Sequence, residues 1–146
     1  QKLSISYFTI MREKKMPVLV MFIDLDRLKY INDTFGHEYG DFAIVSIAKA
    51  MLKHCDADAI AARTGGDEFI VLEGAKDEES GRVLAQKIRT ELSKAQRSMQ
   101  LPFDLSASIG AVVAHPGEEN VLESYVKRAE MLMYEEKAEK KVSRDS

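Results

Sequence analysis

The segment Val18-Leu19-Val20-Met21-Phe22-Ile23 carries no polar residue and runs straight into Asp24-Leu25-Asp26. A strand with one wet face would alternate in polarity. A short uninterrupted run rich in β-formers predicts a central strand buried on both faces. The rest of the chain must then supply the covering layers. Residues 4–15 predict a short helix with Ile5, Phe8 and Met11 near one face, broken by Pro17. Residues 41–53 predict an amphipathic helix in which Phe42, Val45, Ala48, Met51 and Leu52 recur at helical spacing. Residues 77–97 predict another, with Leu84, Ile88, Leu92 and Ala95 on one side. Residues 118–137 predict a third, with Val121, Leu122, Tyr125, Val126, Ala129, Leu132 and Met133 inward. The apolar runs 59–63 and 69–72 flank Thr64-Gly65-Gly66-Asp67 as a hairpin. Phe103, Leu105, Ala107 and Ile109 alternate with polar or small residues, and residues 111–114 extend them as strand. The order helix, strand, helix, hairpin, helix, strand, helix predicts an α/β (α+β) fold. Its centre is a mostly antiparallel, ferredoxin-like sheet with helices on one or both faces.

A length of 146 residues suits one domain, residues 1–146. Lys and Arg number 21 against 24 Asp and Glu, a net charge of −3, which argues against a broad basic face for a nucleic acid polymer. A small phosphorylated ligand, held by one metal ion and a few local cations, stays open. Cys55 is the single cysteine, so an internal disulfide is excluded and a reducing, cytoplasmic setting fits. No apolar run approaches the roughly 18–20 residues that cross a bilayer, and no signal peptide opens the chain. No membrane contact by this domain itself is expected. The missing initiator Met leads us to expect a piece excised from a longer protein.

The chemistry concentrates in three stretches. Asp24 and Asp26 flank Leu25 at the C-terminal end of the buried strand, where ligands gather in α/β sheets. The plain alternative is that one of them caps a following helix. Asp67 and Glu68 stand together at the hairpin tip after Gly65-Gly66, where their repulsion would be relieved by a hard cation such as Mg²⁺. The plain alternative there is a solvated turn. If the strand end lies beside the hairpin tip, the acids gather as in metal-assisted phosphoryl transfer. Between them, Asn32, Asp33 and Asp41 offer donors and acceptors suited to a base edge, or else an Asn-Asp turn and a helix cap at Asp41.

These residues carry a family resemblance. Gly65-Gly66-Asp67-Glu68-Phe69 matches the signature of GGDEF domains, the diguanylate cyclases, letter for letter. Asp24-Leu25-Asp26, Lys29, Ile31-Asn32-Asp33, Gly36-His37 and Gly40-Asp41 match its first motif with its spacing. Ser108-Ile109-Gly110 resembles a later strand motif, and Arg128-Ala129-Glu130, Met133-Tyr134 and Lys137 resemble the C-terminal helix motif. The resemblance runs from about Val18 to Lys137. It implies a palm-type fold similar to class III nucleotide cyclases, and condensation of two GTP into cyclic di-GMP with release of two pyrophosphates. Each subunit of a two-fold homodimer would hold one GTP. By position, Asp24, Asp67, Glu68 and the carbonyl of Leu25 would bind Mg²⁺ (or Mn²⁺). Asp67 is also the proposed general base, with Glu68 beside it at the catalytic centre. Leu28, Lys29, Asn32, His37, Asp41, Lys137 and Lys141 would contact substrate: backbone N–H groups around Leu28 the phosphates, Asn32 and Asp41 the guanine, Lys137 and Lys141 the terminal phosphates. Lys141 stands where the family usually has Arg, which keeps the charge and loses the bidentate fork.

The sequence departs from the family in three places. Asp56 and Ala59 replace the Arg and Asp of the inhibitory product site, so that site is expected to be absent. Leu28 stands for the usual Phe. The opening Asp-x-Leu-Thr-Gly-Leu-x-Asn-Arg motif is missing, which fits an excised segment whose upstream sensory domain lies elsewhere. An alternative reading is a catalytically silent GTP- or cyclic-di-GMP-binding module. Another is an unrelated metal-dependent cyclase with one substrate per site. The intact acids favour an active diguanylate cyclase over the first, and the guanine-reading pattern over the second.

Overall fold

A computed structural model describes residues 2–118 and 120–145. Its elements are α1 (Lys2–Glu13), β1 (Val18–Leu25), α2 (Leu28–Phe35), α3 (His37–His54), β2 (Ile60–Arg63), β3 (Glu68–Gly74), α4 (Ser80–Ser98), β4 (Ala107–Ala114) and α5 (Leu122–Asp145). Every residue of β1 is buried, as the unbroken apolar run requires. β1 pairs antiparallel with β3 on one side and β4 on the other, and β2 pairs antiparallel with β3, giving the order β2-β3-β1-β4. The expected antiparallel, α+β architecture is therefore present.

Side chains alternate across a strand, so β1 feeds two cores. Leu19, Met21, Ile23 and Leu25 pack with Ala43, Ile47 and Met51 of α3 and Leu84, Ile88 and Leu92 of α4. Val18, Val20 and Phe22 pack with Phe8 and Met11 of α1 and Tyr125, Ala129 and Met133 of α5. Helices thus cover both faces.

Several local expectations need correction. The segment after Asp26 forms α2, a helix of eight residues that buries only Leu28 and Ile31, too few to show a period. Asp41 does not cap α3. The helix starts at His37 behind Gly36, whose φ of 102° suits glycine, and Asp41 lies in its second turn. The inner stripe of α3 is Ala43, Ser46, Ile47, Ala50 and Met51, while Val45 and Leu52 face solvent. Ile5 of α1 and Leu132 of α5 are likewise exposed, as is Val121 just before α5. α5 starts at Leu122 rather than at Glu118, whose carboxylate accepts bonds from the His115 N–H and the Tyr125 hydroxyl. Phe103 and Leu105 precede β4: Leu105 is buried and Phe103 packs on Phe35 and Tyr39.

One close approach fixes where α5 lies. A Cβ built on Gly110 of β4 would fall 1.9 Å from the Ala129 carbonyl and 2.5 Å from the Met133 N. These are backbone atoms that cannot turn aside. Gly110→Val should therefore cost about 2–3 kcal/mol in urea unfolding, in the range of an overpacked core. The solvent-facing Gly117, with open space around its Cβ position, should tolerate Ala within about 0.5 kcal/mol. Equal losses at the two positions would contradict this packing.

Candidate active site

β1 and β3 end side by side, with Asp24 opposite Glu68 in the register. The Leu25 N–H donates to the Asp67 carbonyl at 2.9 Å, which stitches the strand end to the hairpin tip. Arg63 holds the tip itself, donating to the Gly65 carbonyl at 3.0 Å and to the Gly66 carbonyl at 2.6 Å. Neither Gly65 nor Gly66 has positive φ, so the pair is not there for a left-handed turn. The space above Gly66 is open.

This arrangement brings Asp24, Asp67 and Glu68 together, with one carboxylate oxygen from each within 4.8 Å of the others. Asp24 is buried, and its Oδ1 has no hydrogen-bond partner. Burial, opposed by Lys137 and reinforced by Asp67, pushes its pKa up to about 7. Glu68 is also shifted upward, by burial and then by Asp67 and Glu130, against the pull of Lys137. Hard oxygen donors, mutual repulsion and an orphaned buried oxygen fit a hard divalent cation such as Mg²⁺ or Mn²⁺.

Asp26 behaves differently. Neither it nor Asp24 caps α2, whose N-cap is Arg27 in a left-handed conformation. The Asp26 carboxylate accepts bonds from the Ser106 hydroxyl (2.6 Å), the Ser108 hydroxyl (2.7 Å) and the Lys140 ammonium (2.7 Å). Burial raises its pKa, but these donors outweigh it and the net shift is downward. Asp26 is thus a satisfied structural anion, while Asp24 is not.

Of the lysines, Lys137 reaches the acids: its Nζ donates to the Leu25 carbonyl at 3.3 Å and lies 3.5 Å from Asp24 Oδ1. Lys141 is exposed one turn further along α5. Lys140, which sequence reasoning passed over, enters the network instead. Continuing the buried stripe Ala129, Met133 in steps of four and three reaches Lys137 and Lys140, a signal that was available.

The remaining candidates lie around α2 and α3. Leu28 opens α2 and is buried in the core, and Lys29 is exposed and paired with Asp33 at 3.3 Å. Asn32 packs on Gly40 so closely that a Cβ there would lie 1.7 Å from its Oδ1. Asp41 follows Gly40 directly and is exposed, as is His37 at the start of α3. Asp56 and Ala59 sit at the far end of the sheet. The Asp56 N–H donates to Glu73 at 2.9 Å, and Ala59 helps line a cavity of about 520 Å³ with Met51, Cys55 and Ala61.

A profile of the family described as "Diguanylate cyclase, GGDEF domain" matches residues 1–143. The chain belongs to the GGDEF domain family. It is 32% identical over 118 residues to the bifunctional diguanylate cyclase/cyclic di-GMP phosphodiesterase MucR of Pseudomonas aeruginosa, covering 81% of this chain and 17% of that protein. It is 36% identical over 127 residues to the probable diguanylate cyclase DgcT of Escherichia coli, covering 85% and 28%. The chain therefore spans well under half the length of these relatives. The GGDEF domain of DgcB from Caulobacter crescentus, solved in complex with c-di-GMP, superposes with a TM-score of 0.76 at 27% identity, covering 92% of this chain and 80% of that one.

This GGDEF site makes a metal prediction. The surroundings of Asp24 disfavour its charged form overall, so the neutral isostere should fold at least as well without metal. In EDTA at pH 8, Asp24→Asn should melt at the wild-type temperature or a few degrees higher. Saturating Mn²⁺ at about a hundredfold its Kd should stabilise the wild-type chain by about 2.7 kcal/mol and the variant by much less. Equal stabilisation of both by Mn²⁺ would remove Asp24 from the site.

Proposed function

We propose that this chain is the catalytic domain of a diguanylate cyclase, joining two GTP into cyclic di-GMP with release of two pyrophosphates. The observation that carries the reading is the meeting of Asp24, Asp67 and Glu68 at one sheet end, with a buried oxygen of Asp24 left without a hydrogen bond. A Mg²⁺ or Mn²⁺ ion held there, with the Leu25 carbonyl as a further ligand, would neutralise phosphate charge and ease ionisation of the ribose 3′-hydroxyl.

The chain's own groups do the rest. Asn32 and Asp41, brought together by the contact of Asn32 with Gly40, would read the guanine edge. Asp41 accepts from the N–H groups that guanine presents there and favours GTP. The N-terminal N–H groups of α2, from Leu28 and Lys29, lack helical partners and would hold phosphate, while His37, exposed at the start of α3, would contact the substrate from the other end of α2. Lys137 would turn from Asp24 to the terminal phosphates, with Lys141 one turn behind it. Asp67 would accept the 3′-hydroxyl proton, with Glu68 completing the acidic shell.

The new bond joins the 3′-oxygen of one GTP to the α-phosphorus of another, and pyrophosphate leaves. One chain holds one GTP, so two chains must face each other across a two-fold axis, consistent with a product made of two identical halves. The upstream part of a longer protein would bring them together. Among the described residues no helix is long and apolar enough to cross a membrane.

The test is incubation with GTP and Mg²⁺, the chain being dimerised by its natural upstream region or a fused coiled coil, with products separated by chromatography. Cyclic di-GMP should form, and Asp67→Ala should lower the rate at least about a thousandfold. GTP binding without any product in the wild type would instead support the silent binding module.

Feedback makes a separate prediction. With Asp56 and Ala59 at the positions of the inhibitory Arg and Asp, added cyclic di-GMP should leave the initial rate nearly unchanged. Strong inhibition that Asp56→Ala alters would contradict this.

A further inference from the structure

Beyond Met133, α5 runs on for roughly three turns and buries no further side chain among the described residues. Charge ties this half of the helix to the body. Arg89 of α4 grips Glu136 of α5 with two parallel bonds of 2.7 Å. Lys140 lies 3.1 Å from the same Glu136 carboxylate and 2.7 Å from Asp26. The helices belong to opposite layers, so Arg89 and Glu136 meet around the outer edge of β4. They also satisfy that edge. The Ile109 N–H donates to Glu136 at 3.2 Å, and the Ala107 carbonyl accepts from Lys140 at 2.8 Å and from Arg89 at 3.3 Å.

Lys137 is the next residue after Glu136, and its ammonium lies against Leu25 and Asp24. We infer that Arg89 and Glu136 are positioning residues: an ionic clasp around the β4 edge that fixes the half-turn of α5 from which Lys137 reaches the acidic site. The functional part of this role rests on the reading of Lys137 as a ligand of the GTP phosphates. A bidentate guanidinium–carboxylate pair suits the task because it fixes orientation as well as distance. Its surroundings strengthen it: the Arg89 pKa is shifted upward, first by the bond to Glu136, and burial of Glu136 is outweighed by Arg89 and Lys140 so that its carboxyl is shifted downward.

Two measurements on this chain test the clasp. The first needs no nucleotide. Competitive acylation with acetic anhydride, mapped by mass spectrometry, reads the exposure of each lysine, with the exposed Lys29 as internal standard. Glu136→Gln and Arg89→Met should raise labelling of Lys137 about threefold or more relative to Lys29, and Arg89→Lys should raise it less. Unchanged labelling of Lys137 would overturn the clasp. A variant that unfolds would label buried and exposed lysines alike; Arg89→Lys, which keeps the charge, then becomes the variant read. The second measurement is calorimetric binding of α,β-methylene GTP with Mg²⁺. Glu136→Gln should weaken it about tenfold in the wild-type background and not at all in the Lys137→Ala background, since the two act as a unit. Equal weakening in both backgrounds would make Glu136 a general structural residue and overturn its positioning role. If the wild-type chain fails to bind the analogue, the GTP reading falls, and the labelling still decides whether Arg89 and Glu136 hold Lys137.

Discussion

A carboxylate taken out of water must find donors or cations within a few ångströms, or its pKa rises until it carries a proton. β1 and the residue that follows it take two carboxylates out of water at once, because Asp24 near the strand's end and Asp26 just beyond it are both buried. The surroundings divide them. Asp26 is met by two serine hydroxyls and a lysine and is held below the ordinary carboxylate range. Asp24 has one lysine at 3.5 Å, a neighbouring acid and an oxygen with no hydrogen bond. A buried, under-satisfied carboxylate with a raised pKa beside two further acids is the kind of imbalance that marks a functional site.

The rest of the fold delivers the partners to that strand end. Alternation along β1 sets two cores, and the two cores set a helical layer on each face. Gly110 then lets α5 lie directly on β4, backbone against strand. That contact fixes the height and rotation of α5 at Met133. The next turn must pass the strand end, so Lys137 meets Leu25 and Asp24 while Lys140 meets Asp26. Ser108, Ile109 and Gly110 thus do three different jobs in consecutive positions. The first bonds Asp26, the second enters the core, and the third admits the helix.

The sheet and its acids were readable because their signals are local. An unbroken apolar run, a Gly-Gly hairpin and adjacent acids each sit within a few residues, and antiparallel pairing brings Asp24 beside Asp67 almost by topology. α2 was not readable, since eight residues with two buried positions show no period and Asn32-Asp33 reads as a turn. The inner face of α3 was read only in part: Met51 lies on it as expected, but the rest is Ala43, Ser46, Ile47 and Ala50, so small and polar residues share the stripe while Val45 and Leu52 face solvent. The clasp was beyond reach for a different reason. Arg89 and Glu136 lie 47 residues apart and meet only because α4 and α5 flank the same edge strand from opposite layers.

The charges at this end of the molecule separate into two groups that behave differently. Around Asp26, two carboxylates, Asp26 and Glu136, face two cations, Lys140 and Arg89, and every carboxylate oxygen in that group has a donor. That group is closed, and its closure is what lets it serve as a fixed frame. Around Asp24, three carboxylates face one ammonium among the described residues, that of Lys137, which also lies 3.6 Å from Asp26, and Glu130 adds its field from further out. The surplus has the sign and size that a divalent cation cancels, and it lies against a frame that is already neutral. A neutral frame supplies no competing anion to draw such a cation away and no spare cation to displace it. The acids left with surplus charge are thereby confined to the place where Asp24, Asp67 and Glu68 converge.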